Sequence, residues 1–214
     1  MKPICYTITV FLFVTASLFS QSNINYEISF KNAVHHEAEI SVEYRDVDSD
    51  TLSVRMSRTS PGRYAIHEFA KNVYGFKAFD ETGNALRITR PKPYQWDISG
   101  HQGFVKISYI LFANHGDGTY SQVDETHAHL NIPATFMYAP YYNNRPIKIK
   151  FYPREDLNWK VATQLKLLSE NTYFAPDLDY FMDSPTEISN HQLKSFTVQD
   201  QGKNYDINFV LHQA

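Results

Sequence analysis

The feature of this sequence that most constrains its fold is a period-two alternation of apolar and polar residues. Alternation of this kind places one set of side chains on a core and the other set in solvent, as in half-buried β-strands. Turn signals rich in Gly, Asp and Asn separate the alternating segments. The apolar members of these segments are Tyr26, Ile28 and Phe30; Ala38, Ile40, Val42 and Tyr44; Leu52, Val54 and Met56; Tyr94, Trp96 and Ile98; Val105, Ile107, Tyr109 and Leu111; Ile147, Ile149 and Phe151; Trp159 and Val161; and Tyr205, Ile207, Phe209 and Leu211.

Many short strands separated by turns are typical of antiparallel all-β domains. The composition agrees, because 15% of the residues are aromatic and large rings suit strand surfaces. The sequence therefore predicts an all-β fold, an antiparallel β-sandwich of roughly ten or more short strands. One or two short helical turns are expected, near residues 66–72 and 177–182.

The overall composition excludes several classes of protein. Apolar residues make up 43% of the chain and charged residues 20%, which is close to a soluble globular average. These values argue against a disordered, collagenous or polytopic membrane protein. The formal net charge of −3 argues against a nucleic-acid-binding protein, which needs a basic surface.

The first 20 residues differ from the rest of the chain. Lys2 is their only charged residue, and an almost wholly apolar run follows it, from Ile4 to Phe19. This pattern predicts a signal peptide over residues 1–20, cleaved before Gln21, and one domain over residues 21–214. The expected location is secreted or periplasmic, with an uncleaved N-terminal anchor as the alternative. The single cysteine, Cys5, lies within the predicted signal.

Two segments approach the zinc-peptidase motif His-Glu-x-x-His without completing it. His67-Glu68 is followed by Lys71 where the second histidine should stand, and His36-Glu37 is followed by Ile40. The motif needs histidines four residues apart on one helical face. Neither segment therefore predicts a zinc site, and the sequence indicates no catalytic residue.

His127-Ala128-His129 is the other arrangement with ligand character. In an extended segment both imidazoles point to one face, roughly 7 Å apart. They could share one metal if a third ligand, such as His115 or Asp124, folded back. The alternative is a polar rim in which the histidines are hydrogen-bonded to neighbours, and on this interpretation the chain binds no metal or cofactor.

Two stretches resemble a known family. Residues 61–73, from Pro61-Gly62-Arg63-Tyr64 to Phe69-Ala70, are similar to the Pro-Gly-x-Tyr-x-x-x-x-Phe-Ala segment of the glycyl aminopeptidases. Residues 116–131 resemble the hairpin and following loop of that family. Residues 159–163 and 183–188 also fit its pattern, so that the resemblance covers nearly all of residues 24–212. Departures are His67, where the family commonly has Arg, and Thr59-Ser60 before Pro61.

The resemblance implies a role as a domain of a larger enzyme. Glycyl aminopeptidases are zinc peptidases with a thermolysin-like catalytic domain, usually followed by a PDZ domain, and the matching segments belong to their N-terminal β domain. The His-Glu-x-x-His helix and its downstream Glu ligand are missing from this sequence. The resemblance thus implies a non-catalytic, truncated chain, inactive as a peptidase on its own, with zinc held only by the missing catalytic domain.

In an intact enzyme this domain is expected to pack on the catalytic domain, in the same chain or in trans, and to shape the cleft for a peptide substrate. The candidate cleft residues are Tyr120, Asp124, Glu125 and His127, with stabilisation of their own loop as the alternative role. The expected docking face consists of apolar loop residues, namely Phe136-Met137-Tyr138, Tyr141-Tyr142 and Tyr180-Phe181-Met182. The alternative is that these residues close the ends of the sandwich.

Two other functions stay open from the sequence. The chain could be a stand-alone secreted β-sandwich module that binds a peptide or a glycan through its aromatic rim. It could also be a complete enzyme with an unrecognised site around His127 and His129. Stoichiometric bound metal would favour the second of these alternatives.

Overall fold

The computed structural model describes residues 22–212, which contain sixteen β-strands and two short α-helices. The predicted signal peptide and its cleavage point before Gln21 lie outside the described residues. Within the described part, each helix is too short to cross a bilayer.

The strands are β1 (Ile24–Ser29), β2 (Glu37–Tyr44), β3 (Thr51–Arg55), β4 (Val73–Phe79), β5 (Arg87–Lys92), β6 (Gln95–Ser99), β7 (Val105–Phe112), β8 (Gln122–Val123), β9 (His127–Leu130), β10 (Ile147–Tyr152), β11 (Lys160–Thr163), β12 (Lys166–Ser169), β13 (Thr172–Ala175), β14 (Thr186–Ser189), β15 (Gln192–Asp200) and β16 (Lys203–Leu211). The helices are α1 (Ile132–Thr135) and α2 (Leu178–Met182). Single 3-10 turns occupy Ala33–His35, Phe69–Asn72, Pro140–Tyr142 and Glu155–Leu157.

The largest sheet has seven strands in the order β12-β13-β10-β1-β2-β7-β4. Strand β1 pairs antiparallel with β2, in the register Tyr26↔Val42, but parallel with β10. Smaller sheets contain β11-β14-β9-β8 and β3-β6-β5, and β15 and β16 form a separate hairpin. The predicted all-β fold is confirmed, and the one parallel pair is a departure from the expected antiparallel arrangement.

The core lies on the inner face of the seven-stranded sheet. Alternate residues of β1, β2 and β7 are buried there, as the period-two pattern predicted. Tyr26 packs against Phe136 and Phe181, with ring centroids 5.5 and 5.2 Å away, and donates a 2.8 Å hydrogen bond to the carbonyl of Met137. The buried residues of both smaller sheets join the same cluster.

Local signals explain where several elements start or bend. Asp177 caps α2 by accepting a 2.8 Å hydrogen bond from the amide of Tyr180, and Pro133 stands in the first turn of α1. In β4 the register against β7 shifts between Tyr74 and Lys77. Gly75 sits in this bulge with φ of +62°, a conformation that favours glycine. Both predicted helical turns are present, as the turn Phe69–Asn72 and as α2.

The prediction that the apolar loops form an exposed docking face is wrong for most of their large residues. Phe136, Met137, Phe181 and Tyr142 are buried, because they cover the open face of the large sheet. Of these loop residues, Tyr141 and Tyr180 are exposed. The burial predicted from the alternation in residues 205–211 is also wrong for the described chain.

The hairpin of β15 and β16 carries that alternation on the surface. Among the described strands, the two pair only with each other. All of their residues are exposed, including Phe196, Ile207 and Phe209. The alternation is real, but no described element covers the apolar face that it creates.

Candidate functional site

The two segments that carry the family resemblance meet around the ring of Tyr120. His67 is stacked parallel on Phe69, with ring centroids 5.2 Å apart. Tyr120 stands edge-on to both rings, at 5.6 and 5.0 Å. His115 approaches the same ring at 4.8 Å. Loop 57–68 and loop 114–121 are therefore held together by aromatic packing.

The incomplete zinc motif is used in this packing. Lys71 lies 5.5 Å from the centre of the Tyr120 ring, a cation–π distance. Glu68 forms an ion pair of 2.6 Å with Arg58. These side chains thus join the loop to its neighbours.

Asn131 connects loop 57–68 with loop 114–121 through buried hydrogen bonds. Its amide nitrogen donates to Ser60 Oγ at 3.0 Å and also to the carbonyl of Thr119. Its backbone amide donates to Ser121 Oγ at 3.1 Å, and its carbonyl accepts from Thr135 Oγ1 at 2.8 Å. All these groups are buried, so Asn131 fixes the base of the site.

Asp124 organises the turn that leads into β9. Its Oδ1 accepts hydrogen bonds from the amides of Thr126 and His127 at 2.7 and 3.1 Å, and its Oδ2 accepts one from Gln122 at 3.0 Å. Burial acts to raise the pKa of Asp124, but the bonds from Thr126 and the His127 amide outweigh it and hold that pKa below its usual range. Both carboxylate oxygens are therefore used within the loop.

His127 and His129 lie on one face of β9, as the sequence predicted, with Ala128 buried between them. Glu187 of β14 is directly opposite His129 in the ladder. His129 Nδ1 is 3.4 Å from Glu187 Oε2, and His212 Nδ1 is 3.7 Å from Glu187 Oε1. Ligand atoms of His127, Glu187 and His212 all lie within 4.8 Å of one another.

This histidine–carboxylate cluster borders an open cavity of about 510 Å³, lined also by Gly116, Gln122 and Val210. Burial acts to raise the pKa of Glu187, but the hydrogen bond with His129 and the Coulombic interaction with His127 outweigh it, so that this pKa is lowered. The sequence did not single out Glu187 or His212. Only the pairing of β14 with β9, and the return of the chain after β16, bring them to His127.

The structure divides the four candidate cleft residues between separate environments. Tyr120 is packed in the aromatic cluster, Asp124 is bonded within its turn, and Glu125 is exposed at the tip of that turn. His127 belongs to the histidine–carboxylate cluster. His115, a suggested third ligand, is instead 3.2 Å from Asp117.

A second concave region lies on the outer face of the seven-stranded sheet. This groove of about 660 Å³ crosses β1, β2 and β7 and is lined mainly by polar side chains. They include Ser29, Ser41, Ser108, Glu39 and Lys77. The lining combines positively and negatively charged side chains with apolar surface, for example at Ile110.

Comparison with known proteins gives the family. The chain matches the sequence model of the peptidase M61 N-terminal domain over residues 25–190. Among solved structures it is similar to an aminopeptidase N family protein from Idiomarina loihiensis, with a TM-score of 0.76 and 19% identity over 86% of this chain and 32% of that chain. It is also similar to Legionella pneumophila aminopeptidase A in complex with aspartic acid, with a TM-score of 0.53 and 14% identity over 88% of this chain and 23% of that chain.

The chain thus spans about a third or less of the length of these structures, and their likeness to it concerns the fold. Among curated proteins, no sequence matches the chain. The M61 match covers most of the chain and contains both segments on which the resemblance was based, which confirms that resemblance. The chain belongs to the family of peptidase M61 N-terminal domains.

Proposed function

We propose that this chain is the non-catalytic N-terminal domain of an exported M61-type metallopeptidase, which packs on the catalytic domain and forms part of the wall of its substrate cleft. Membership of the M61 N-terminal domain family supports the proposal. In such an enzyme the catalytic domain holds the zinc, and the residues of this chain position that domain and the peptide.

The observation that carries this proposal is the apolar face of the hairpin. The cross-strand pairs Phe196↔Ile207 and Val198↔Tyr205 place these side chains on one face. The rings of Phe196 and Phe209 stack there, with centroids 5.7 Å apart. We call this the hairpin face; it consists of Phe196, Val198, Tyr205, Ile207, Phe209 and Leu211, all exposed.

The opposite face of the hairpin is polar along its middle, with the apolar pair Leu193 and Val210 at its base. Ser195 donates to Asn208 at 2.6 Å, and Thr197 donates to Asp206 at 2.7 Å. A two-stranded ribbon is marginally stable alone in water, and a contiguous exposed apolar patch is typical of an interaction surface. The hairpin is therefore built to be covered on one side, and the occupant we propose is the catalytic domain.

The base of the hairpin, at the end of β16, lies beside the candidate cleft loop. Val210 and His212 line the cavity that Gly116, Gln122 and His127 also line. Val210 lies on the opposite face of β16 from Phe209 and Leu211. A domain docked on the hairpin face therefore reaches the loop of residues 115–129 by extending around the end of β16. Glu125, exposed at the tip of that loop, is the carboxylate we propose for the free ammonium group of the peptide, because both oxygens of Asp124 are engaged.

Sedimentation velocity tests the docking. We expect the exported chain to self-associate alone and to form a one-to-one complex with the catalytic domain of a full-length M61 relative added in trans. The double change Phe196→Ser and Phe209→Ser should give a monomer and weaken the complex at least about tenfold, since two large apolar side chains lose their burial. Leu167→Ser, an exposed apolar residue on edge strand β12, is the matched control and should behave as the unaltered chain.

A monodisperse monomer that ignores the added catalytic domain would contradict the proposal. So would an equal loss of binding in the Leu167→Ser control, because it would show that any exposed apolar residue has the same effect.

The groove on the large sheet favours a second candidate function. A stand-alone module that binds a peptide or glycan would use polar side chains such as Ser41, Ser108 and Tyr152, which line that groove. The test is binding of oligosaccharides or peptides to the isolated chain. Binding that is lost in Ser108→Tyr but retained in the Phe196 and Phe209 double variant would favour this function over the first. We expect no such binding.

A further inference from the structure

We propose that His127, Glu187 and His212 bind a divalent transition-metal ion such as Zn²⁺. From the sequence, the suggested third ligand for His127 and His129 was His115 or Asp124, and no metal was expected. The fold supplies the missing ligands from β14 and from the residue that follows β16. The site does not depend on the role of the hairpin face or on a catalytic domain.

The positions of the ligand atoms fit one ion after small side-chain movements. One ligand atom from each of the three residues lies within 4.8 Å of the other two. Zinc–nitrogen and zinc–oxygen bonds of about 2.0–2.2 Å in a tetrahedral site place ligand atoms roughly 3.3 Å apart. Rotation of the imidazoles of His127 and His212 is enough to close this difference, because both side chains border an open cavity.

The carboxylate of Glu187 is the independent indication of a missing ligand. His129 is 3.4 Å from Oε2, which holds that oxygen in place. Oε1 is buried and finds no hydrogen-bond partner among the described residues. A buried acceptor without a donor is costly, and such groups call for an unseen partner. Because Oε1 faces His212 at 3.7 Å, a cation between them satisfies it.

The surroundings of His127 select the nitrogen that would bind. Thr126 Oγ1 donates to Asp124 Oδ1 at 2.6 Å and lies 3.2 Å from His127 Nδ1. Because the hydroxyl hydrogen of Thr126 is donated to Asp124, Thr126 Oγ1 can only accept a hydrogen bond from Nδ1–H of His127. The ring nitrogen of His127 with a free lone pair is then Nε2. Metal-bound histidines are commonly oriented in this way by a partner on the other nitrogen. Thr126 and Asp124 are therefore positioning residues.

The donor set defines the class of ion. Two imidazoles and one carboxylate suit Zn²⁺, Ni²⁺ or Cu²⁺ and are a poor set for Ca²⁺ or Mg²⁺, which prefer oxygen ligands. The fourth position opens to the cavity of about 510 Å³ and is available to water. The ion would join β9, β14 and the end of β16, and would so fix the base of the hairpin to the four-stranded sheet.

Metal titration of the untagged, metal-stripped chain tests the site, with Zn²⁺ followed by calorimetry and Co²⁺ by its visible absorption. We expect one ion per chain. Glu187→Gln and His127→Ala should each weaken binding at least about tenfold, and Thr126→Val roughly 10–100-fold, as for other groups that orient a ligand. His35→Ala, which removes an exposed histidine from the turn Ala33–His35, is the matched control and should leave the affinity unchanged.

Circular dichroism of each variant separates loss of the site from loss of the fold. Absence of stoichiometric binding to the unaltered chain would overturn the proposal. Equal affinities in the folded Glu187→Gln and His127→Ala variants and in the unaltered chain would also overturn it. A loss of affinity in His35→Ala as large as in His127→Ala would assign the binding to scattered surface histidines instead.

Discussion

Asn131 is the buried residue on which the candidate loops depend. Its side chain bonds Ser60 and the Thr119 carbonyl, and its backbone bonds Ser121. Replacement by Ala leaves these groups buried without partners, so Asn131→Ala should lower the free energy of unfolding by about 1–3 kcal/mol. Urea denaturation measures this. Asn208→Ala, in the exposed hairpin, is the control, with an expected change within about 0.5 kcal/mol; equal effects would contradict the role given to Asn131.

His101 gives the molecule an acid-sensitive residue. Its Nδ1 accepts a 3.3 Å hydrogen bond from the amide of Gly103, and its Nε2 is buried without a described partner. Burial lowers the pKa of His101, although the charge of Asp50 opposes this. The unfolded chain, in which histidine titrates near pH 6.5, therefore binds more protons than the folded chain as the pH falls through that value.

Stability should consequently fall as the pH is lowered from about 7.5 towards 5.5, and part of that fall should vanish in His101→Gln. The measurement is the unfolding free energy of both chains at each pH. Parallel pH profiles for the variant and the unaltered chain would contradict the assignment.

At the scale of single residues, the sequence identified His127 and His129 and their common face. It could not identify Glu187 or His212. Glu187 lies 60 residues after His127, and His212 lies further along the chain. Both reach His127 through strand pairings that no local pattern specifies. The choice of Asp124 as a cleft residue stays a prediction; both of its carboxylate oxygens accept hydrogen bonds within the loop, from Gln122 on one side and from Thr126 and His127 on the other.

At the scale of elements, core and surface aromatic residues should respond differently to truncation. Phe181 of α2 is fully buried, whereas Phe196 of β15 is 51% exposed. Phe181→Ala should cost about 3–5 kcal/mol of unfolding free energy. Phe196→Ser should lower the unfolding free energy of the isolated chain by less than about 0.5 kcal/mol, because this side chain is not packed in the described core.

Denaturant unfolding of the two variants decides the matter. A large loss of stability in Phe196→Ser would mean that the hairpin face packs on this domain itself, and that it is not kept for a partner.

The long strands β1, β2, β7 and β10 were predictable because each has one buried face and a clear alternation. Strands β8, β9 and β14 have two to four residues, too few to establish a period. The hairpin shows the limit of the pattern, since alternation indicates that one face is to be buried but does not say against what. The apolar loop at residues 136–142 has no alternation, and it was expected to be exposed for docking. In the structure most of its large side chains are buried against the sheet.

At the scale of the whole molecule, export is a prediction that rests on residues 1–20. Protein recovered from the secreted or periplasmic fraction should have the intact mass of a chain that begins at Gln21. Mass spectrometry of that fraction is the measurement. A soluble species that retains residues 1–20 would contradict the predicted signal peptide.

The central claim is that the hairpin face and the adjoining loop contact a catalytic domain. Amide hydrogen exchange of the chain, with and without the catalytic domain of a full-length M61 relative, tests it most directly. The account predicts that exchange slows at least about tenfold in β15, β16 and the loop of residues 115–129, and is unchanged in the strands under the sheet groove. Unchanged exchange in the hairpin, or protection confined to the groove around Ser41 and Ser108, would contradict it.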